Sequence, residues 1–252
     1  LILILGDQLD INSPVLKNLN PKTDQVVMIE SANEAQFVWS HKAKIALFLS
    51  AMRHFAKQLE EIGIPLQYIK QSPKSIGDTL RAIIKKEKCT HLVCLEPGEY
   101  RLKCEIETLA SELNIELEIQ EDPHFYCSRH EFTNWVSGKK ELRLEYFYRL
   151  MRKTHNILVD REGNPEGGQW NFDRDNRKPF PKKGPGLIPP PELFEPDDIT
   201  KAVLTEVEER YSDHPGSLAH FQWPVTRQQA LQALEGFVEH RWQHSGFMKM
   251  RC

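Results

Sequence analysis

The chain has 252 residues, 40% of them hydrophobic and 27% charged, with a formal net charge of −3. That length suits one large domain, or a domain with an appendage, and buries a sizeable core. The charge balance excludes a generally basic nucleic-acid binder without excluding a local basic patch, and no apolar run reaches the roughly 18 residues that cross a membrane.

The elements are legible in chain order. LILIL at 1–5 and VVMIE at 26–30 are short apolar runs that suit strands buried on both faces. From Val38 to Ile62 the spacing of Ile45, Phe48, Leu49, Met52, Phe55 and Leu59 predicts one long helix, which Gly63 ends. PLQYIK at 65–70 reads as a strand, Ser75 to Lys88 as a helix and HLVCLE at 91–96 as a strand. Glu99 to Asn114 reads as a helix, and IELEIQ at 115–120 alternates as an edge strand does. This order predicts an α/β fold, a Rossmann-like parallel five-stranded sheet with helices on both faces, over residues 1–125. Helices at Arg129–Ser137 and Glu141–His155 form an extension over 126–159. A proline- and glycine-rich linker at 160–196 has no periodicity. Residues 197–252 read as the start of a helical domain, cut short, with helices from Asp198 to Tyr211 and again from Thr226, where Gln229 completes a capping-box pattern.

In a sheet of this kind the ligand crevice lies beyond the carboxyl ends of the strands, where strand order reverses. Strand one is expected at the centre, so Gly6-Asp7-Gln8-Leu9 falls on that edge, with the turns at 30–34 and 96–99 converging on it. A ligand edge and a plain polar turn both fit. Gly6 lets backbone approach a ligand, and Asp7 and Gln8 supply an acceptor and a mixed donor–acceptor. Glu34, Phe37, His41 and Lys42, three to four apart at the start of the long helix, are expected to share or adjoin one face. With Glu30 they suit a planar polar heterocycle; an exposed first turn with ordinary charge pairing is the alternative. Neither a Gly-x-Gly-x-x-Gly fingerprint nor a phosphate loop occurs, which disfavours a standard dinucleotide site or a nucleoside triphosphatase.

No hydrolytic or nucleophilic motif stands out, and no catalytic residue is assigned. His240 and His244 have metal-ligand spacing but no carboxylate partner, and Trp242 between them reads as packing. The cysteines, 5 in number and irregularly spaced, read as reduced structural thiols. In the linker, Arg177, Lys178, Lys182 and Lys183 alternate with aromatics. They suit a phosphate backbone, docking onto another domain, or a solvated charged loop. The start of the chain has no secretory signal, and a cytoplasmic protein is expected.

LILILGDQL, HKAKIALFLSAMRHFA, EPGEYR, EYFYRLMR and above all GGQWNFDRDNRKPFP together resemble the deoxyribodipyrimidine photolyase-related proteins, the iron–sulfur bacterial cryptochromes and photolyases. The resemblance implies an α/β antenna domain that binds 6,7-dimethyl-8-ribityllumazine. It further implies a helical half with FAD and a four-iron–four-sulfur cluster in full-length relatives, which repair (6-4) photoproducts in DNA with light or act as photoreceptors. On this basis Gly6, Asp7, Gln8 and Leu9 match one wall of the lumazine site, and Glu30, Glu34, Phe37, His41, Lys42 and Ile45 the other. Phe37 stands where family members carry Tyr; it retains the ring and loses a hydroxyl. Relatives continue into the flavin half where this chain reads HSGFMKMRC, so a truncated N-terminal half, not catalytic alone, is expected. Its uncovered docking surface favours self-association. A ligand-free remnant and a nucleotide-binding α/β enzyme are the competing readings.

Overall fold

A computed structural model describes residues 1–172 and 188–242. The chain forms two units: Leu1–Glu121 with Glu192–Leu234, and Asp122–Pro191 with Glu235–Cys252.

The first unit is a parallel sheet in the order β3-β2-β1-β4-β5, built from β1 (Ile2–Ile4), β2 (Val26–Ser31), β3 (Leu66–Ser72), β4 (His91–Leu95) and β5 (Glu116–Gln120). It is the predicted α/β fold, with strand one central and the alternating 116–120 segment at one edge. Ile2 pairs with Val26 on one side and Val93 on the other, so β1 has hydrogen-bonded neighbours along both edges. Side chains alternate across a strand. Leu3 and Leu5 therefore join Val27, Leu80, Ile83, Leu92, Ile106 and Leu109 in one apolar layer, on the side of α4 (Ile76–Glu87) and α5 (Tyr100–Leu113). Ile2 and Ile4 join Val26, Met28, Met52, Phe55 and Leu59 in the other, on the side of α3 (Lys42–Glu61). Short α1 (Pro14–Lys17) adds Val15 and Leu16 to that second layer.

Helix α3 buries a further stripe. Ala43, Ile45, Ala46 and Leu49 pack on Val203, Val207, Tyr211, Leu218, Phe221 and Val225, from α8 (Asp198–Arg210) and the segment after it. A helix covered on two sides explains why apolar residues recur at more than one register along 43–59. The left-handed residues Lys88 (φ 53°) and Asn114 (φ 50°) end α4 and α5, and Gly63 (φ 77°) follows α3 as its position suggested.

The long helix expected from Val38 starts four residues later, at Lys42, and a separate short helix that the spacing does not predict precedes it. Helix α2 (Ala32–Phe37) ends before Val38, which is extended (φ −118°, ψ 129°), and α3 starts at Lys42. The break has a physical cause. The His41 ring nitrogen Nδ1 accepts from Ala43 N–H at 3.0 Å, Lys42 N–H donates to the Pro215 carbonyl at 2.9 Å, and His214 Nδ1 lies 2.9 Å from the Ser40 carbonyl. The chain before α3 is thus held by residues 214–215 in a conformation that helix cannot continue through.

The second unit contains α6 (Arg129–Val136) and α7 (Leu144–Thr154), close to the predicted spans. Ser128 and Glu131 form a reciprocal capping box. Phe132, Trp135 and Phe147 cluster with ring centroids 4.9–5.8 Å apart. Arg152 is buried and donates to the carbonyls of Ile157 and Leu158. The unit boundary falls within α9 (Arg227–His240). At its start Gln229 N–H donates to Thr226 Oγ1 at 3.2 Å, and Gln229 Oε1 accepts from Thr226 N–H at 3.3 Å, which completes the predicted box. Arg177, Lys178, Lys182, Lys183 and His244 lie outside the described residues.

Candidate ligand site at the carboxyl edge of the sheet

Strand order reverses between β1 and β4, and the turns that leave these two strands meet there. Gln8 ties them together: its Nε2 donates to the Glu96 carbonyl at 3.0 Å, and its own N–H donates to the Leu5 carbonyl at 3.0 Å. Gln8 is only 3% exposed, yet its Oε1 has no hydrogen-bond partner among the described residues. A buried amide oxygen left so costs on the order of 1–3 kcal/mol. Two glycines keep the same place narrow. A Cβ on Gly6 would lie 3.0 Å from Met52 Sδ and 3.5 Å from Phe48, and one on Gly98 would lie 3.2 Å from the Asp7 carboxylate. Lys103 Nζ meets Glu96 Oε1 at 2.9 Å.

A second group of predicted residues gathers around Arg101. Its Nη2 donates to Glu34 Oε2 at 2.6 Å, its Nε to Glu99 Oε1 at 2.8 Å, and Glu105 Oε2 lies 3.8 Å from Nη1. The guanidinium sits 4.4 Å from the Phe37 ring centroid, a cation–π distance. Hydrogen bonds to Glu99 and then Glu34 hold the Arg101 pKa above its ordinary value although partial burial opposes the charge. Phe37 is 64% exposed, and Val38 and Trp39 after it are exposed as well.

The remaining predicted residues face α8 and its flank. Glu30, 2% exposed, accepts from Arg53 twice (2.7 and 3.0 Å), from Tyr68 O–H (2.6 Å) and from Gln71 N–H (3.2 Å). Arg53 continues to Glu206 at 2.6 Å. Burial works against the Arg53 charge, but the bonds to Glu30 and Glu206 outweigh it and raise the pKa. Burial, with the Glu30 charge, likewise pushes the Tyr68 phenol upward. Lys42 Nζ pairs with Glu208 at 2.6 Å, and Ile45 is in the α3–α8 core. The His41 ring lies against Gly216, where a Cβ would come within 2.0 Å of Nε2. Leu9 lines a groove of about 590 Å³ with His54, Phe55, Val225 and Thr226. The predicted set is therefore not one cluster. Gly6, Asp7 and Gln8 meet the β4 turn, Glu34 and Phe37 meet Arg101, and Glu30, His41, Lys42 and Ile45 are engaged on the α8 side. The sharing of one helical face by Glu34, Phe37, His41 and Lys42 does not occur, because residues 38–41 interrupt the helix.

Arg101 was not singled out from the sequence, and Gly98 entered only as part of the turn at 96–99. The available signal was the turn Glu96-Pro97-Gly98-Glu99 with a cation two residues after it, flanked by acids at 99 and 105. Among the described residues no group of three or more His, Cys, Asp and Glu side chains has the arrangement to hold a metal ion, and no helix is long and apolar enough to cross a membrane.

This is a doubly wound α/β domain with its polar turns gathered at the switch point. Within that class the chain belongs to the deoxyribodipyrimidine photo-lyase-related protein family, whose model matches residues 2–223. It is also 39% identical over 246 residues to a (6-4) photolyase of Agrobacterium fabrum (strain C58 / ATCC 33970), an alignment that covers 95% of this chain and 47% of that protein. The chain thus spans about half the length of that curated relative.

Proposed function

We propose that this chain is the antenna portion of a photolyase-related protein and binds 6,7-dimethyl-8-ribityllumazine at the β1/β4 edge. The observation that carries this reading is Gln8, a buried amide whose Oε1 lacks a donor at the switch point. A small turn of the Gln8 side chain toward the crevice brings this oxygen to an N–H or hydroxyl of the bound ligand. Gly6 and Gly98 let Met52 and the Asp7 carboxylate pack close to the backbone there, which holds both turns in place beside the ligand. Asp7 and Glu34 accept from ribityl hydroxyls, and Phe37 offers an aromatic face once Arg101 shares or yields it. When bound, the lumazine absorbs violet–blue light and passes the excitation on. The chain's own task is to fix the ring's place and angle, which needs a few convergent polar groups and no acid–base machinery.

Light-driven DNA repair or photoreception is then the function of the whole protein, with FAD and an iron–sulfur cluster supplied outside this chain. DNA is its partner and the cytoplasm its location. The exposed residues Leu142, Leu144 and Tyr146 of the second unit are consistent with self-association of this chain in isolation.

The test is an absorption spectrum of the purified chain before and after addition of the lumazine. A violet–blue band that persists through gel filtration, and weakens in Asp7→Asn and Glu34→Gln, is the expected result. A folded protein that retains no band overturns the reading.

A further inference from the structure

In doubly wound folds, ligand phosphates sit at helix N-termini, where free N–H groups and the helix dipole favour an anion and a glycine lets it come close. Helix α4 has that construction. Its N-cap is Ser75, its second residue is Gly77, and it follows β3 at the carboxyl edge of the sheet. The anion place is taken by the protein itself. Glu105 Oε1, reaching over from α5, accepts from Ser75 O–H at 2.9 Å and Gly77 N–H at 3.2 Å. Ser75 Oγ accepts from Asp78 N–H at 3.0 Å. A Cβ on Gly77 would be 2.2 Å from Glu105 Oε1, so the glycine is needed for the carboxylate to seat. The other Glu105 oxygen faces Arg101, which also carries Glu34 and Glu99. Three carboxylates there share one guanidinium, and the rim is left acidic.

We propose that Glu105 is a resident anion that makes the neighbouring site selective for an unphosphorylated, polyol-bearing heterocycle over its phosphate ester. The ligand-selectivity part rests on the ligand reading above. Glu105 is a specificity-determining residue: it occupies the donors a phosphate would use and adds like charge beside it.

The experiment titrates the full chain with 6,7-dimethyl-8-ribityllumazine and with its 5′-phosphate, following ligand fluorescence, for wild type, Glu105→Gln and Glu105→Ala. Thermal melts of each in phosphate against chloride at matched ionic strength accompany the titrations. In wild type the phosphate ester binds about tenfold more weakly or worse, a ratio equal to about 1.4 kcal/mol. The ratio narrows in both variants, and Glu105→Ala alone gains melting temperature with phosphate. Equal affinities in wild type, an unchanged ratio in both variants, or no phosphate-specific gain in Glu105→Ala each overturn the proposal. If no variant binds the lumazine, the antenna reading fails and selectivity fails with it. The phosphate melts then decide separately whether Glu105 occupies an anion seat. Glu105→Gln retains an oxygen acceptor, so it reports on charge even if the Ala variant does not fold.

Discussion

Arg53 and Glu30 meet through two parallel hydrogen bonds, Nε to Oε1 at 2.7 Å and Nη2 to Oε2 at 3.0 Å, and the same guanidinium reaches Glu206 on α8. Both residues are largely out of solvent. Removing one side of such a pair leaves an uncompensated buried charge. Arg53→Met is therefore expected to cost about 3 kcal/mol or more of stability, read from urea unfolding. A loss below about 1 kcal/mol would show that the pair is screened as surface pairs are.

Gly216 has φ +97°, and a side chain there would run into the His41 ring. Gly216→Ala carries both a backbone and a steric penalty, together about 2–3 kcal/mol. Pairing it with His41→Ala separates the two. The double variant recovers the steric part and retains the backbone part, so a double-mutant cycle with no coupling contradicts this account.

Asp197 caps α8: its Oδ1 accepts from Thr200 N–H at 2.9 Å and lies 3.3 Å from His54 Nε2. Burial pushes its pKa upward, but the Thr200 bonds and the His54 charge outweigh that and hold it below the ordinary carboxylate value. A depressed folded pKa gives stability that is present above the unfolded value and is lost as pH falls through the folded one. Asp197→Ala is expected to cost about 1 kcal/mol at neutral pH. The difference from wild type shrinks as pH falls below the ordinary aspartate range and through the depressed folded value. Denaturation midpoints of the two proteins at several pH values check the sign; a gap that widens in acid contradicts it.

Cys94, on β4 in the core, has its thiol pushed up to about 12 by burial. Thiolate is the reactive form. Cys94 is expected to stay unmodified by iodoacetamide at neutral pH until denaturant is added, while the less buried Cys89, Cys104 and Cys127 label earlier. Peptide mass spectrometry of a timed labelling series reads the order directly.

Much of this fold is written in short-range pattern. The apolar runs at 1–5 and 26–30 identify buried strands, and placing strand one at the centre follows from the order of elements. What the pattern does not carry is the partner of an apolar stripe. Ile45 and Leu49 read as core, but the residues they pack on, Val203 and Val207, lie far along the chain. The polar contacts have the same character: Lys42 reaches Glu208 across 166 positions and Arg53 reaches Glu206 across 153. Such pairings are tertiary and leave no periodic mark. The start of α3 at Lys42, four residues after Val38, was equally hidden, because it is imposed by residues 214–215 and not by a proline or glycine nearby. At the candidate site, Gly6, Asp7 and Gln8 were legible from their place after a strand. Arg101 was not, because its importance comes from three acids and a ring that only the folded chain assembles.

The first unit leaves off at Glu121 and resumes at Glu192. During synthesis from the N-terminus, all five strands and α3 leave the ribosome well before α8 does. Until residues 203–225 follow, Ala43, Ile45, Ala46 and Leu49 have no cover on their second side. A nascent chain at that stage presents a sticky apolar stripe, together with Glu30 and Arg53 whose ionic partner on α8 has yet to arrive. Chaperone engagement would therefore concentrate in the interval between the emergence of α3 and that of α8, and slow translation there would lengthen the exposure.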